Sequence, residues 1–378
     1  MKTIYLDNAA TTPMLPEVIE SVTAVMKSTY GNPSSTHQIG RKSRALVENA
    51  RKSIANLLNA SSSELFFTAG GSEADNLILH NAVTNLEVKT IISSKIEHHA
   101  IIHTIEHLKE KYNIEVKWVN LTSKGSIDYN HLEELLENTL TKTLVSLMYV
   151  NNEIGNILDL KKVSNFCIKN KVLFHSDTVQ GIAHFDIDVV KTPIDFFTAS
   201  AHKFHGPKGV GYAYIKKGFG VQPLLFGGEQ EKGARAGTEN IHSIYGMQKA
   251  MEIACKNLEE EAKSIQAIKS YFITSLKSNF EGIKFNGLSE SETESSYIIL
   301  NVRFSKAYPM LLFNLDLKGI AVSGGSACQS GSSKGSHVLH EILEEKETLK
   351  TSVRFSFSKF TSKTDIDYVI SILKDLIK

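Results

Sequence analysis

IDFFTASAHKFHGPKG, residues 194–209, is the stretch that best indicates the fold and the chemistry of this chain. IDFFTAS is short and apolar, as buried strands are, and the turn-forming SAHKFHGPKG follows it directly. Lys203 then stands at the end of a buried strand, where lysine is unusual without a partner. A lysine with a lowered pKa suits a Schiff base, and Ser200 and His202 offer polar groups to a phosphate. The alternative is a surface turn with a solvated lysine.

Strand and helix patterns alternate around this stretch, from about residue 60 to residue 215. Apolar runs such as ELFFTA, TIISSK, TLVSLMYV, VLFHSD and GVGYAYI are separated by helical patterns such as DYNHLEELLENTL and LKKVSNFCIKN. Such alternation predicts right-handed crossovers and a mostly parallel sheet with helices on both faces. The predicted fold class is therefore α/β, and ligands of such sheets bind at the carboxyl ends of the strands.

The pattern changes in the C-terminal third of the chain. MEIACKNLEEEAKSIQAIKSYFITSLKS predicts one long helix, and SYIILNVRF and SVRFSFS predict short strands. Ser362 and Asp365 form a capping pair that predicts the start of a closing helix. We predict two domains: a large domain over 14–255 and a small α+β domain made of 1–13 and 256–378.

Composition excludes several classes of protein. The 378 residues include 42 basic and 41 acidic side chains, and a net charge of +1 does not favour binding to nucleic acid or to an anionic membrane. The longest apolar run is far too short to span a bilayer. Asp7 and Asn8 interrupt the N-terminus before a secretory signal could form. Three cysteines without a CxxC pair indicate reduced thiols, and we predict a cytoplasmic protein.

Polar motifs follow two other predicted strands. In TAGGSEADN, Gly71 turns the chain and Ser72 caps a helix, whose free N–H groups suit a phosphate. The motif is neither GxxxxGK[ST] nor GxGxxG, which disfavours a nucleoside triphosphate or NAD. In HSDTVQG, Asp177 supplies the carboxylate that a protonated pyridine nitrogen needs, and Gln180 is placed to reach a ring hydroxyl. Ordinary helix caps are the alternatives for Ser72 and Asp177.

IEHHA and NNEIG follow two further strands. The imidazole of His98 is suited to stack on an aromatic ring, and Asn152 is a candidate for a polar contact with the same ring. The alternatives are a structural histidine and an asparagine turn.

Metal binding is a competing hypothesis. His337 and His340 are three residues apart on a predicted helix, and Glu341 is adjacent. Four other histidines are available as ligands: His98, His99, His202 and His205. HExxH is absent, and two histidines at helical spacing are common by chance, so we predict no resident metal.

SGGSACQSGSSKGS, residues 323–336, contains ten Gly or Ser residues in fourteen. This composition predicts a mobile, exposed loop. Cys328 lies within it, whereas Cys167 falls near helical spacing with Leu160 and Val163, which predicts a core position. Cys328 is therefore the candidate for a reactive thiol.

Together these motifs resemble, in order, the NifS/IscS group of cysteine desulfurases, which belong to the class-V aminotransferases. The likeness covers nearly the whole chain through YLDNAATTP, GNPSSTH, FTAGGSEADN, EHHA, NNEIG, DTVQ, SAHKFHGPKG, GGEQEKGARAGTEN, GGSAC and VRFS. The resemblance implies pyridoxal 5′-phosphate as the cofactor. It also implies fold type I, the aspartate aminotransferase fold, with a seven-stranded mostly parallel sheet, and a homodimer.

The resemblance also implies residue roles. Lys203 is the Schiff-base lysine and general base, and Cys328 receives sulfur from L-cysteine as a persulfide while L-alanine leaves. His98 stacks on the ring and is included among the catalytic residues. The implied cofactor contacts are Gly71, Ser72, His98, Asn152, Asp177, Gln180, Ser200, His202, Lys203 and, toward the neighbouring subunit, Thr238. The implied substrate contacts are Arg354, Asn32 and Asn152.

The sulfur acceptor stays open between an iron–sulfur scaffold protein and a tRNA-thiolation enzyme, and Cys328 is a candidate for a transient cluster contact. We expect no direct contact with nucleic acid or membrane. Two alternatives remain: a selenocysteine lyase or another class-V enzyme, and a catalytically silent partner in sulfur transfer. The Gly/Ser loop with Cys328 argues against transamination, which needs no thiol. Intact Lys203, Asp177 and Cys328 argue against a silent partner.

Overall fold

The computed structural model describes residues 3–324 and 335–377. Cys328 lies outside the described residues. The strands are β1 (Ile4–Tyr5), β2 (Leu65–Thr68), β3 (Thr90–Ser93), β4 (Glu115–Trp118), β5 (Thr143–Ser146), β6 (Leu173–Asp177), β7 (Phe196–Ser200), β8 (Gly211–Ile215), β9 (Lys284–Phe285), β10 (Ile299–Arg303), β11 (Ile320–Ala321) and β12 (Ser352–Ser356). The α-helices are α1 (Pro16–Ser28), α2 (Gln38–Leu57), α3 (Gly71–Thr84), α4 (His99–Tyr112), α5 (Tyr129–Glu137), α6 (Leu160–Asn170), α7 (Ile241–Lys256), α8 (Leu258–Asn279), α9 (Leu311–Leu317), α10 (His337–Ile342), α11 (Glu345–Thr348) and α12 (Lys363–Leu376).

The central sheet has seven strands within the described ranges, in the order β2-β8-β7-β6-β5-β3-β4. Strands β7, β6, β5, β3 and β4 pair in parallel, and β8 runs antiparallel to both of its neighbours. The prediction of a mostly parallel, seven-stranded sheet is confirmed. None of the helices in the described part of the chain combines the length and the apolar character needed to cross a membrane.

Both faces of this sheet are buried, because successive side chains of a strand point to opposite faces. Phe196 belongs to the core formed with α3 and α4, whereas Phe197 belongs to the core formed with α1, α2, α5, α6 and α7. Leu144 and Val145 of β5 divide between the same two cores. Near-continuous apolar runs in the sequence are therefore the signature of a doubly covered sheet.

A separate apolar core lies toward the C-terminus. It is built from α8, α9 and α12, from the antiparallel sheet β12-β10-β9, and from Ile4 and Leu6 at the start of the chain. The chain start joins it because β1 pairs in parallel with β11. The domain bounds given above stay a prediction.

The prediction of one long helix across residues 251–278 is wrong. Helix α7 ends at Lys256 and α8 begins at Leu258, with Asn257 between them at φ −110° and ψ 12°. The Asn257 N–H donates to Ala254 O at 3.2 Å. The apolar pattern continues across the break, so helical periodicity alone does not reveal it.

A buried ion pair anchors the turn that precedes Thr238. Arg51 of α2 donates to both carboxylate oxygens of Glu231, at 2.7 and 2.8 Å, and the Phe67 N–H donates to the same carboxylate. Glu231 and Lys232 have φ of 48° and 59°, a conformation that costs non-glycine residues about 1–2 kcal/mol each. The ion pair thus holds a strained turn in place.

We expect Glu231→Gln to lower the free energy of unfolding by about 3–5 kcal/mol, because the buried Arg51 charge loses its counter-charge. Urea unfolding followed by circular dichroism measures this change. Glu133→Gln is the matched control, since its partner Lys169 is exposed and exposed pairs contribute little. Equal, small effects of both substitutions would contradict the anchoring role.

Candidate active site

The carboxyl ends of β3, β5, β6 and β7 meet at one edge of the sheet, next to the start of α3. A cavity of about 220 Å³ opens there. It is lined by ten residues that the sequence predicts for the site: Gly71, Ser72, His98, Asn152, Asp177, Gln180, Ser200, His202, Lys203 and Arg354. The fold therefore brings together side chains that are spread over nearly 300 positions of the sequence.

Lys203 lies in this cavity, at the end of a short 3₁₀ turn that follows β7. Its Nζ donates to Ala9 O at 2.7 Å and to Ala10 O at 2.9 Å. Gln180 Nε2 also donates to Ala9 O, at 2.8 Å. The backbone of the N-terminal segment thus forms one wall of the site and orients the amine.

Asp177 is the last residue of β6 and is almost fully buried. Its Oδ1 accepts from the Val179 N–H at 2.9 Å and from the Thr198 hydroxyl at 3.4 Å. Within the described ranges no helix begins at Asp177, so the interpretation as a helix cap is not supported. A buried carboxylate that faces a cavity is suited to a cationic ligand group.

His98 caps a helix and also lines the cavity, while its stacking on an aromatic ring stays a prediction. Its Nδ1 accepts from the Ala100 N–H at 3.1 Å and caps α4, while the side chain lines the cavity. Burial lowers the pKa of His98, and the positive groups Lys203 and His337 lower it further, against the opposite effects of Asp177 and Glu153. The imidazole is therefore neutral at pH 7.

The start of α3 forms a cradle at one end of the site. Gly70 has φ of 154°, and a Cβ on Gly71 would lie only 2.6 Å from Val179 Cγ2. An adjoining opening is lined by Ser72, Ser200 and His202. Burial, together with nearby lysines, lowers the pKa of His202 to about 4. Helix N–H groups and hydroxyls that converge on an open space suit a phosphate.

Arg354 of β12 reaches the cavity from the C-terminal core and is fully buried. Its Nη2 donates to Asp7 Oδ1 at 2.7 Å, and its Nη1 donates to Asn152 O at 2.8 Å. Its Nε is buried and has no hydrogen-bond partner among the described residues. The guanidinium is thus fixed by protein acceptors, and the described hydrogen bonds use two of its five N–H groups.

The sequence reasoning missed Asp75, which lines the cavity, and Asp7 and Glu97, which bond to residues that line it. Asp7 holds Arg354, although the motif YLDNAATTP by itself predicts no role for this residue. Asp75 lines the cavity from α3, and Glu97 lies buried beside Met148. The signal that was available for Asp75 is its position one helical turn after Gly71, on the side of α3 that starts at the site.

Thr238 and Asn32 do not line this cavity. Thr238 lines a different opening, with Thr68 and Gly209. Asn32 is exposed, and its Oδ1 accepts from the Ser34 N–H at 2.9 Å. Their roles, like that of Cys328, stay predictions. Cys167 lies in the core, and burial raises the pKa of its thiol.

Several histidines cluster near the start of α4. The ring centroid of His99 lies 4.8 Å from that of His103 and 4.4 Å from that of His337. Even so, residues 3–324 and 335–377 contain no group of three or more His, Cys, Asp or Glu side chains arranged to hold a metal ion.

The residues present fit pyridoxal 5′-phosphate. Gly71 allows the start of α3 to pack against Val179 where any side chain would collide, and the opening beside it is lined by donors for a phosphate. Asp177 supplies a buried carboxylate for a ring nitrogen, and Lys203 supplies the amine. Arg354 Nε is a buried donor without a partner in the described residues, which suits the carboxylate of an amino acid.

Comparisons with known proteins agree with this site. A family model described as Aminotransferase class-V matches residues 4–369. The cysteine desulfurase IscS of Dictyoglomus turgidum is 38% identical over 380 residues, which cover 99% of this chain and 94% of that protein. The cysteine desulfurase IscS of Clostridium botulinum strain Hall is 40% identical over 382 residues, which cover 100% and 95%.

A solved structure of a NifS-like protein superposes with a TM-score of 0.90 at 34% identity, over 100% of this chain and 99% of that one. This likeness confirms the predicted fold class, fold type I of the pyridoxal-phosphate enzymes. The chain belongs to the class-V aminotransferase family and, within it, to the cysteine desulfurases of the NifS/IscS group.

Proposed function

We propose that this protein is a cysteine desulfurase that converts L-cysteine to L-alanine and holds the released sulfur as a persulfide on Cys328. The observation that carries the proposal is the convergence of Lys203, Asp177 and Arg354 on one cavity at the carboxyl edge of the sheet. An amine, a buried carboxylate and an arginine with an unused donor are what an amino acid and a pyridoxal cofactor require together.

Pyridoxal 5′-phosphate, when bound, supplies a protonated ring that accepts electrons from the α-carbon of an amino acid. Lys203 would hold its carbonyl carbon, Asp177 its ring nitrogen and Gln180 its ring hydroxyl. The start of α3 would bind the phosphate together with Ser72, Ser200 and His202. His98 would lie against the ring.

Arg354 is suited to bind the substrate carboxylate. Asp7 and the Asn152 carbonyl each accept one hydrogen bond from the terminal nitrogens, which leaves three of the five N–H groups of the guanidinium for a ligand. Because the guanidinium is already fixed, binding costs little side-chain entropy. The carboxylate position then determines where the α-carbon lies relative to Lys203.

Two bases handle protons. Lys203 Nζ takes the α-proton, a role that suits a lysine next to a reacting carbon. His98 is neutral at pH 7, since burial lowers its pKa, and a neutral imidazole can accept or relay a proton. Ala9, Ala10 and Met148 form part of the wall of the cavity in which these transfers would take place.

The sulfur atom is transferred from the substrate to Cys328 in one displacement at sulfur. The thiolate of Cys328 attacks the substrate sulfur, an S–S bond forms and the substrate Cβ–S bond breaks. The electron pair of the broken Cβ–S bond stays with Cβ, which gains a proton, and L-alanine leaves. Cys328 ends as a persulfide, so that one thiol and one cysteine become one persulfide and one alanine.

The proposal extends to assembly. Homodimerisation is supported by exposed apolar side chains near the turn that leads to Thr238, of which Phe226 is 87% and Tyr30 is 76% exposed. Gln230 links this turn to Ser34, close to Tyr30 in the chain. We also propose that the protein is cytoplasmic, with a large domain over 14–255 and a small domain made of 1–13 and 256–378. The proposed sulfur acceptor is a protein of iron–sulfur assembly or of tRNA thiolation.

We expect wild-type protein, given L-cysteine in a single turnover, to release alanine and to gain the mass of one sulfur atom on Cys328. Cys328→Ala should abolish both, because the two cysteines that the structure describes, Cys167 and Cys255, have thiol pKa values raised by burial. Mass spectrometry of the modified peptide, together with alanine quantification, measures the outcome. Cys255→Ala is the control, since burial raises the pKa of its thiol to about 11. Unchanged alanine release from Cys328→Ala would refute the mechanism.

Lys203→Ala should leave no covalently held cofactor. Borohydride reduction of the wild-type holoenzyme should fix the cofactor to the peptide that contains Lys203, as read by mass spectrometry and loss of visible absorbance. Lys203→Arg keeps the positive charge and should also lack the covalent product. Recovery of the reduced cofactor on Lys208 would show that the amine is wrongly identified.

Asp7→Asn should raise KM for L-cysteine by about tenfold with a smaller effect on kcat, because the charge that orients Arg354 is lost. Steady-state kinetics separate the two parameters. Glu347→Gln is the matched control, since Glu347 pairs with another buried arginine, Arg303, outside the cavity. A KM unchanged by Asp7→Asn would mean that Arg354 does not depend on this partner.

A further inference from the structure

A second cavity lies next to the candidate active site. Its volume is about 440 Å³, compared with about 220 Å³ for the active-site cavity. Residues from the loop after β3, from 125–129, from 148–159 and from the segment after β9 form its walls. Met148 lines both cavities. A molecule bound in the second cavity would therefore touch one wall of the active site.

The walls of this cavity combine buried apolar side chains with exposed acidic ones. Ile96, Ile127 and Leu158 are buried and apolar. Asp159 and Glu294 are exposed, so they lie toward the opening of the cavity. Among the described residues, no lysine, arginine or histidine lines it. This surface suits a small molecule with an apolar body and a positive charge.

Glu97 adds a buried carboxyl group to the lining. Its side chain belongs to a residue that is only 1% exposed. Its Oε1 accepts from the Ser94 hydroxyl at 2.8 Å and from the Met148 N–H at 3.1 Å. Its Oε2 is buried and has no hydrogen-bond partner in residues 3–324 and 335–377. Because a buried carboxyl oxygen without a donor costs free energy, Glu97 lacks one hydrogen-bond donor here.

The buried asparagines of the lining do not share this deficit. Asn151 donates to a backbone carbonyl at 2.9 Å, and its Oδ1 accepts from two backbone N–H groups at 2.9 and 3.0 Å. Asn156 donates to one backbone group and accepts from another, both at 2.8 Å. The donor that the cavity lacks is therefore needed at Glu97.

We infer that this cavity binds a small aliphatic ammonium ion, whose N–H donates to the Glu97 carboxyl group while its carbon chain packs against the apolar walls. Such an ion supplies both the donor and the counter-charge that a buried carboxylate requires. A metal ion fits less well, because the part of the chain that the structure describes contains no group of three or more metal-ligating side chains. The inference goes beyond the proposed function and does not depend on it.

Isothermal titration calorimetry tests the site on full-length protein loaded with pyridoxal 5′-phosphate. The probe is N,N-dimethylbutylammonium, which keeps one N–H and cannot form a Schiff base with the cofactor. Burial raises the pKa of Glu97 to about 8. A titration at about pH 8.5 therefore keeps this carboxyl group largely ionised and the probe protonated. We expect saturable binding, with the neutral alcohol of nearly the same shape, dimethylbutylcarbinol, at least about tenfold weaker.

Glu97→Gln should weaken binding of the ammonium ion by about tenfold or more and change the affinity for the alcohol much less. The charge is lost, whereas the amide oxygen can still accept from Ser94 and Met148. Glu294→Gln is the matched control, since it removes an exposed charge from the same lining and should change the affinity by less than about twofold. Circular dichroism and cofactor absorbance show whether each variant is folded.

Ser126→Phe provides a second variant in case Glu97→Gln does not fold. Ser126 is half-buried in the lining, so a phenyl ring at this position should fill part of the cavity and abolish binding of both probes. Equal affinities of the wild-type protein for the two probes, or no saturable binding, would overturn the inference. Wild-type affinity for the ammonium ion in folded Glu97→Gln, or in Ser126→Phe, would also overturn it.

These titrations need no L-cysteine, so the two proposals fail separately. A protein that binds the ammonium ion as expected but forms no alanine would refute the proposed function alone. Alanine formation by a protein that does not bind the probe would refute this inference alone.

Discussion

The register of the parallel strands is the constraint on which the site depends. Asp177 of β6 stands opposite Thr198 of β7, and His175 stands opposite Ser146 of β5. Side chains two residues apart in a strand share a face, so this register puts polar groups from three strands on the side that α3 covers. A shift of one residue in any strand would turn the side chains of that strand toward the opposite core. The polar groups at the site are thus fixed by the same pairing that buries the apolar residues.

Helix α3 contains residues that serve the site and destabilise the fold, and apolar residues that stabilise it. Its glycine start allows the close approach of Val179 and leaves the first N–H groups available for a phosphate. One turn later, the Asp75 carboxyl group is buried 3.6 Å from His175 Nε2, and its desolvation opposes folding. The apolar packing of Leu77, Ile78 and Ala82 against the sheet offsets this cost. The stability of the fold therefore does not explain why an acid is buried at this position.

The sequence predicts the strand ends well, because turn chemistry and apolar runs are local signals. Lys203, Asp177 and His98 follow buried strands, and parallel pairing then brings them to one cavity. Asp7 and Glu97 were missed because their roles come from partners far away in the chain, Arg354 and Met148. The break at Asn257 was missed because an apolar stripe continues on both sides of it. Thr238 does not line the cavity of its own chain, and no local pattern gives its role.

The N-terminal segment links the two halves of the site more closely than its length suggests. Leu6 is buried in the C-terminal core, Asp7 fixes Arg354, and Ala9 and Ala10 bind Lys203 through their carbonyl oxygens. Residues 7–10 therefore connect the group suited to the substrate carboxylate with the amine suited to its α-proton. Because a peptide unit is rigid and consecutive Cα atoms are about 3.8 Å apart, this segment limits how far the two groups can separate. A shift of this segment would act on Arg354 and Lys203 together, because both side chains bond to it.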